Sequence, residues 1–141
     1  MDSLLQKIFT PLSSPNKTAL EYPFSFINIP GISQCDSSTE IYYTKDFCRG
    51  LLDEKQCDVG AFPTNIIEYY WIHEGVNDGE SWYCLCKLDN GLYAFYSARC
   101  DYTGFDCMGE MIMSVSHDPS KLFTYGMTEF ERSLCMDEKK I

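Results

Sequence analysis

The sequence predicts an α+β domain: an antiparallel β-meander of about four strands with short helices packed on it. Three observations lead there. The chain has 141 residues, of which 45% are hydrophobic and 15% aromatic, enough apolar side chain for one buried core and too much for a disordered chain. From residue 65 onward, short stretches rich in Ile, Tyr and Trp alternate with Gly, Asn and Asp turn signals, the pattern of strands joined by hairpins. Helix start signals stand in the first half and again after residue 117. The chain reads as a single domain over 1–141. Residues 1–60 form a helical and extended part, and 65–136 form the sheet and C-terminal helices.

Each element has a local reason. Residues 1–12 carry Leu4, Leu5, Ile8, Phe9 and Leu12 at helical spacing, with Asp2 or Ser3 as cap and Pro11 as stop. Ser13-Ser14-Pro15-Asn16 is a turn cluster, and the proline-bounded apolar stretch 22–30 reads as an extended arm or edge strand. Ser37-Ser38-Thr39-Glu40 resembles a capping box before Ile41, with Thr44 an equal candidate for the cap. Phe47, Cys48, Leu51 and Leu52 then share a helical face, and residues 57–60 end that helix.

Strands are expected over 65–74, 81–88, 92–98 and 111–116. Asn77-Asp78-Gly79-Glu80 is a turn, Asp89-Asn90-Gly91 is a strong hairpin signal, and 100–109 is a loop. Read as a two-residue Asn90-Gly91 turn, the hairpin sets Cys84 opposite Ser97 and Cys86 opposite Phe95. In that register Cys100 faces away from Cys84 and Cys86, and a slip of one residue reverses this. Asp118-Pro119 starts a short helix closed by Gly126. Thr128-Glu129-Phe130-Glu131 is a second capping box, opening a helix to about Met136 and followed by a polar tail over 137–141.

Charge narrows the partners. Eleven Lys and Arg against 21 Asp and Glu give a formal charge of −10, which repels phosphate backbones. No basic run exceeds Lys139-Lys140, so direct nucleic-acid binding is not expected. The same charge favours a basic protein partner, such as the groove of a nucleic-acid-binding protein. The first residues lack the apolar stretch of a signal peptide, and no window approaches the ~18 apolar residues of a membrane span. The expected compartment is cytoplasmic, with reduced thiols and no membrane contact.

Eight cysteines are present: Cys35, Cys48, Cys57, Cys84, Cys86, Cys100, Cys107 and Cys135. Reduced Cys packs as a small hydrophobe, so core positions and no cofactor are the default. Two constellations carry other chemistry. Cys84 and Cys86 point to one face of a strand. The segment 100–109 gathers Cys100, Asp101, Tyr102, Phe105, Asp106 and Cys107 around Gly104. Cys100 and Cys107 with Cys84, Cys86, His73 or His117 form the candidate zinc set, although six residues separate Cys100 from Cys107 where zinc fingers space their first pair by about two to four. A Cys100–Cys107 disulfide would close the loop, but reducing conditions oppose it. The packing alternative makes this segment a turn, with Gly104 at positive φ, the Asp side chains capping, and Tyr102 and Phe105 pinned to the core. Asp101, Tyr102, Phe105 and Asp106 are the candidate binding residues. No catalytic residue is assigned: the chain has no nucleophile elbow, phosphate loop or HExxH helix.

The run from Asn77-Asp78-Gly79-Glu80 through Leu88-Asp89-Asn90-Gly91 to Cys100-Asp101-Tyr102-Thr103-Gly104-Phe105-Asp106-Cys107 resembles a family of small proteins from bacteria and large DNA viruses. That family carries a CDYTG-aromatic-DC motif after a hairpin strand. Gly126-Met127-Thr128 and the helix after it are similar to the family's C-terminal segment, so the resemblance covers about residues 77–134. It implies a shared fold and a shared site at the Cys100–Cys107 loop, and no activity. The family usually has Gln where this chain has Met108, which removes a polar group from that position.

The leading functional expectation is a non-enzymatic protein-interaction or structural module, and a minor virion component in a viral setting. Acidity motivates it, together with an excess of aromatics over what one sheet face holds (Tyr42, Tyr43, Tyr69, Tyr70, Trp71, Trp82, Tyr83, Tyr93 and Tyr96). The first alternative is a Cys-ligated zinc module. The second is a small thiol-dependent enzyme or hydrolase, whose Cys needs His73 or His117 as base.

Overall fold

The computed structural model describes residues 2–20, 41–43, 54–56, 66–76, 78–89, 91–101 and 108–141. Its strands are β1 (Ile41–Tyr43), β2 (Glu54–Gln56), β3 (Ile66–His73), β4 (Trp82–Leu88), β5 (Tyr93–Asp101) and β6 (Met108–Ser116). Its helices are α1 (Ser3–Ile8), α2 (Pro119–Tyr125) and α3 (Glu129–Lys139), with a 3-10 turn at Lys17–Leu20. β3 to β6 form the expected four-strand antiparallel meander. β1 extends it by pairing with β6, and β2 adds to β1 in parallel, giving the order β2-β1-β6-β5-β4-β3.

The helix starts follow from capping chemistry. Asp2 accepts the Leu5 N–H at 2.9 Å. Asp118 accepts from Ser120 at 2.9 Å with Pro119 in the first turn. Thr128 and Glu131 exchange bonds of 3.2 and 2.8 Å in a full capping box. Each satisfies backbone donors that a helix start otherwise leaves open. The early cap before Ile41 does not open a helix: Ile41-Tyr42-Tyr43 is a strand, and Glu54–Gln56, inside the expected helix, is a strand as well. The edge of β6 offers 41–43 a ladder, and pairing of β-branched and aromatic residues overrides a local cap signal. The predicted arm over 22–30 and the helical face Phe47, Cys48, Leu51 and Leu52 lie outside the described residues.

Among the described side chains, the β3–β6 part of the sheet is buried on both faces. Leu5, Ile8, Phe9, Leu122, Phe123, Met127 and Cys135 cover Tyr70, Trp71, Tyr83, Leu85 and Phe95 on one side. On the other, Trp82, Cys84, Cys86, Leu88, Leu92, Ala94, Tyr96, Ala98, Met113 and Val115 pack with Leu20. This accounts for the unbroken apolar run Trp82-Tyr83-Cys84-Leu85-Cys86, which a half-solvated strand would not carry. It also accounts for much of the aromatic excess. Trp71, Tyr83 and Phe95 stack with centroids 5.4, 5.9 and 6.3 Å apart inside the helix-covered layer. Exposed aromatics on the sheet are therefore not a feature of Tyr70, Trp71, Trp82, Tyr83 or Tyr96, all of which are buried.

The β4–β5 register differs by one residue from the expected one. Cys84 pairs with Tyr96 and Cys86 with Ala94, not with Ser97 and Phe95. The Leu88 N–H donates to Leu92 O at 2.8 Å, and the Gly91 N–H donates to Leu88 O at 3.1 Å. Gly91, at φ +90, is thus the last of three loop residues, the arrangement of a three-residue hairpin with glycine in the left-handed region. The predicted strands are also too short at the far end of β5: β5 runs on to Asp101 and β6 begins at Met108, while 102–107 of the expected loop lie outside the described residues.

Two β-bulges interrupt β3, between Ile66 and Glu68 and between Tyr69 and Trp71. They send Ile66, Tyr69 and Ile72 to one face while Tyr70 and Trp71 both pack on the other. At the α2–α3 junction, buried Ser114 donates to Gly126 O at 2.7 Å. A Cβ at Gly126 would stand 2.6 Å from Leu122 O, so glycine is set there by close approach rather than by φ.

Candidate functional site

β3 is an edge strand, and an edge leaves backbone groups open to another partner. Pro11 follows the end of α1 and turns the chain along this edge, where the Leu12 N–H donates to Tyr69 O at 2.8 Å. The end of α3 arrives from the other side. There Lys139 Nζ donates to Thr10 O at 3.2 Å and to Tyr70 O, a carbonyl at the second bulge. Between these three segments lies an open groove of about 640 Å³. Lys7 and residues 10–13 line it from the α1 side, residues 71–72 from β3, and residues 138–141 from the end of α3.

The groove is locally basic in an acidic chain. Lys7, Lys139 and Lys140 line it, whereas the whole sequence has 11 Lys and Arg and a net charge of −10. Burial lowers the pKa of the Lys139 ammonium, an effect opposed by Cys135 beside it. Glu138 also lines the groove, but its carboxylate is engaged toward the sheet. Trp71 Nε1 donates to Oε1 at 2.8 Å, and His73 Nδ1 lies 3.0 Å from Oε1 and 2.8 Å from Oε2. An ionised carboxylate only accepts, so Nδ1 carries a proton. His73 Nε2 is 3.7 Å from the exposed carboxylate of Glu80.

This Glu138–His73 pair is the orienting half of a general base. Among the described residues, no hydroxyl or thiol stands within hydrogen-bond reach of Nε2 to act as nucleophile. Cys84, Cys86 and Cys135 are buried free thiols. Burial, and then the hydrogen-bonded Cys84, push the Cys86 thiol well above its ordinary pKa. Burial, with Cys84 and Cys86 nearby, also pushes the Tyr69 phenol up to about 12. Burial pushes the Cys135 thiol up to about 12 against the pull of Lys139. A buried thiol held protonated, as at Cys86 and Cys135, is a poor nucleophile.

The other sequence-predicted residues sort as follows. Cys84 and Cys86 are brought together at the centre of the meander. Cys100 and Asp101 stand at the end of β5, paired with Gly109 and Met108. Their side chains, and all of Tyr102, Phe105, Asp106 and Cys107, lie outside the described residues. Since Cys84 pairs with Tyr96, position 100 is four residues further along, about 13 Å at ~3.3 Å per residue. That is longer than two short side chains and two zinc–sulfur bonds of about 2.3 Å span. The expectation that this register turns Cys100 away from the pair loses its basis with the one-residue shift. His73 and His117 stand at opposite ends of the meander. His73 pairs with Tyr83, near one end, and His117 lies against Gly91 at the hairpin turn. Among the described residues, no three His, Cys, Asp or Glu side chains cluster as metal ligands, and no helix is long and apolar enough to cross a membrane.

Sequence reasoning missed Lys7, Trp71, Glu138 and Lys139 as members of one site. The polar tail predicts a helix end near Met136, but α3 continues to Lys139. It stops at Lys140, in the left-handed region at φ 59, with the Ile141 N–H returning to Met136 O at 2.9 Å. Glu138 and Lys139 hold this last turn by bonding to β3, a long-range gain that no local signal carries. The available signal was Lys139-Lys140, the longest basic run in an acidic chain.

No protein-family model matches this chain, and no curated protein or solved structure matches it.

Proposed function

We propose that this chain is a non-enzymatic protein-binding module, and that its partner docks a segment in the groove between α1, β3 and α3. One observation carries this reading: a groove of about 640 Å³ beside an edge strand gathers three lysines in a chain of net charge −10. A concave, largely preformed site of mixed apolar and polar lining is where binding energy concentrates. The net charge of −10 favours a partner whose flanking surface is basic and steers the encounter at long range. We place the module in the cytoplasm and, in a viral setting, among the minor components of the particle.

The test compares capture by the parent with capture by the Lys7→Glu/Lys140→Glu variant, from the same native lysate. Both side chains are exposed, so the fold is expected to survive, which circular dichroism checks. A partner retained by the parent and lost by the folded variant supports the reading. A partner held equally by both places docking elsewhere and overturns it.

A further inference from the structure

We infer that the groove recognises an acidic, extended peptide segment of the partner protein, with a partner carboxylate seated against the Lys139 ammonium. This deepens the protein-binding reading and rests on it.

The geometry of Lys139 carries the argument. Its ammonium has three N–H donors. Two of them meet the carbonyls of Thr10 and Tyr70, which hold the charge in place at the groove instead of leaving it on a mobile stem. One donor remains for a ligand. The carboxylate nearest in sequence, Glu138, is turned to Trp71 and His73 and is not its counter-ion. Among the described residues, Lys7, Lys139 and Lys140 make no ion pair with a carboxylate. A half-buried, positioned cation with no carboxylate counter-ion costs desolvation free energy that an incoming anion recovers.

The rest of the lining selects the kind of anion. Pro11 and Leu12 stand beside the lysines in the lining, an apolar edge that suits the aliphatic stem of Glu and an apolar neighbour. The groove is open along its length and borders the backbone of an edge strand, which fits an extended chain better than a compact anion. Lys7 and Lys140 in the lining extend the positive field past a single carboxylate, so a segment with several acidic residues matches the charge.

The experiment uses full-length, isotope-labelled protein and follows the Trp71 indole N–H with the backbone amides of Lys7 and Lys140 by NMR. Three short peptides of matched length are titrated in: alternating Glu and Leu, alternating Gln and Leu, and alternating Lys and Leu. Inorganic phosphate is a fourth titrant. The expected result is that only the Glu peptide moves these three signals together. Its affinity should fall about tenfold between low and physiological salt, as screening of a charged pair requires. In the Lys7→Glu/Lys140→Glu variant, affinity should fall by about tenfold or more through like-charge repulsion. Lys139 is left intact because it also holds the fold. Equal binding of the Gln peptide, preference for the Lys peptide, or no shift with any peptide overturns the inference. Phosphate reproducing the Glu-peptide shifts at equal concentration reduces the groove to a general anion site and overturns the peptide assignment. Lysate capture separates the two levels. A partner that is lost in the variant but docks a neutral or basic segment leaves the protein-binding reading standing and removes this one.

Discussion

The indole N–H of Trp71 donates to Glu138 at 2.8 Å, joining the edge strand of the sheet to the last turn of the C-terminal helix. The same carboxylate receives His73 at 2.8 Å. One side chain thus fixes the last turn of α3, which lines the groove, against β3, and the cation of Lys139 follows it in sequence. The functional reading depends on this clasp, which holds the last turn of α3 to β3 together with the Lys139 bond to Tyr70 O.

The first prediction concerns that clasp. Glu138→Ala leaves the Trp71 and His73 donors without their acceptor, which should cost about 1–3 kcal/mol in denaturant unfolding. Glu138→Gln keeps one carbonyl acceptor and should lose less. Urea midpoints of the two variants check the order, and equal losses would contradict the hydrogen-bond account.

A second prediction tests the α2–α3 junction. Gly126→Ala forces a Cβ to 2.6 Å from Leu122 O, which requires a backbone shift and should cost about 1–3 kcal/mol. Ser114→Ala removes the 2.7 Å bond to Gly126 O and should cost about 1–2 kcal/mol by leaving a buried carbonyl short of a donor. Because the two sites share this contact, the double variant should be less destabilised than the two losses added together.

Alkaline pH supplies a third. Cys135 is raised from 9.0 to about 12, Tyr69 from 10.0 to about 12, and Cys86 and Tyr96 well above their ordinary values. Burial disfavours the charged thiolate and phenolate in the folded chain, while the unfolded chain ionises near the ordinary values. The unfolded state therefore binds fewer protons above pH ~9, and stability falls with rising pH there. The contribution should be intact below pH ~9 and lost progressively toward ~12. Urea midpoints measured from neutral to alkaline pH check this. Cys135→Ala should decline less steeply than the parent over the same range.

Thiol labelling gives a fourth. Cys84, Cys86 and Cys135 are buried, and alkylation requires an accessible thiolate. All three should label at least about a hundredfold more slowly in native protein than after unfolding, because they react only through opening. Peptide mapping after timed alkylation reads each site. Fast labelling of Cys84 or Cys86 would contradict the observed burial and reopen the thiol-enzyme alternative.

Much of the fold was legible because its signals are local. The Asp118-Pro119 start and the Thr128–Glu131 box name their helices through bonds made within three residues. The alternation of strands and turns names the meander. The β4–β5 register was not legible, since Asp89-Asn90-Gly91 accommodates a two- or a three-residue loop. The choice falls to the packing of Leu88, Leu92, Cys84 and Tyr96 on one buried face. Ile41-Tyr42-Tyr43 misled because a cap signal preceded residues that pair with β6. The site was the least legible part. Lys7, Trp71 and Glu138 are far apart in sequence, and the bulges that set Trp71 beside Tyr70 on one face break the period on which strand reading relies.

The most direct test of the central claim, that the groove is the docking surface, is photo-crosslinking from two positions in full-length protein. A photoreactive residue replaces exposed Ser13 in the groove lining or exposed Glu129 at the start of α3. The second position is about 15 Å from the groove at ~1.5 Å per helical residue. Crosslinked peptides are then identified in native lysate. The account predicts one partner segment joined at Ser13, absent at Glu129, and lost when Lys7 and Lys140 are reversed to Glu. Crosslinks to a common partner from Glu129 and not from Ser13 would contradict it.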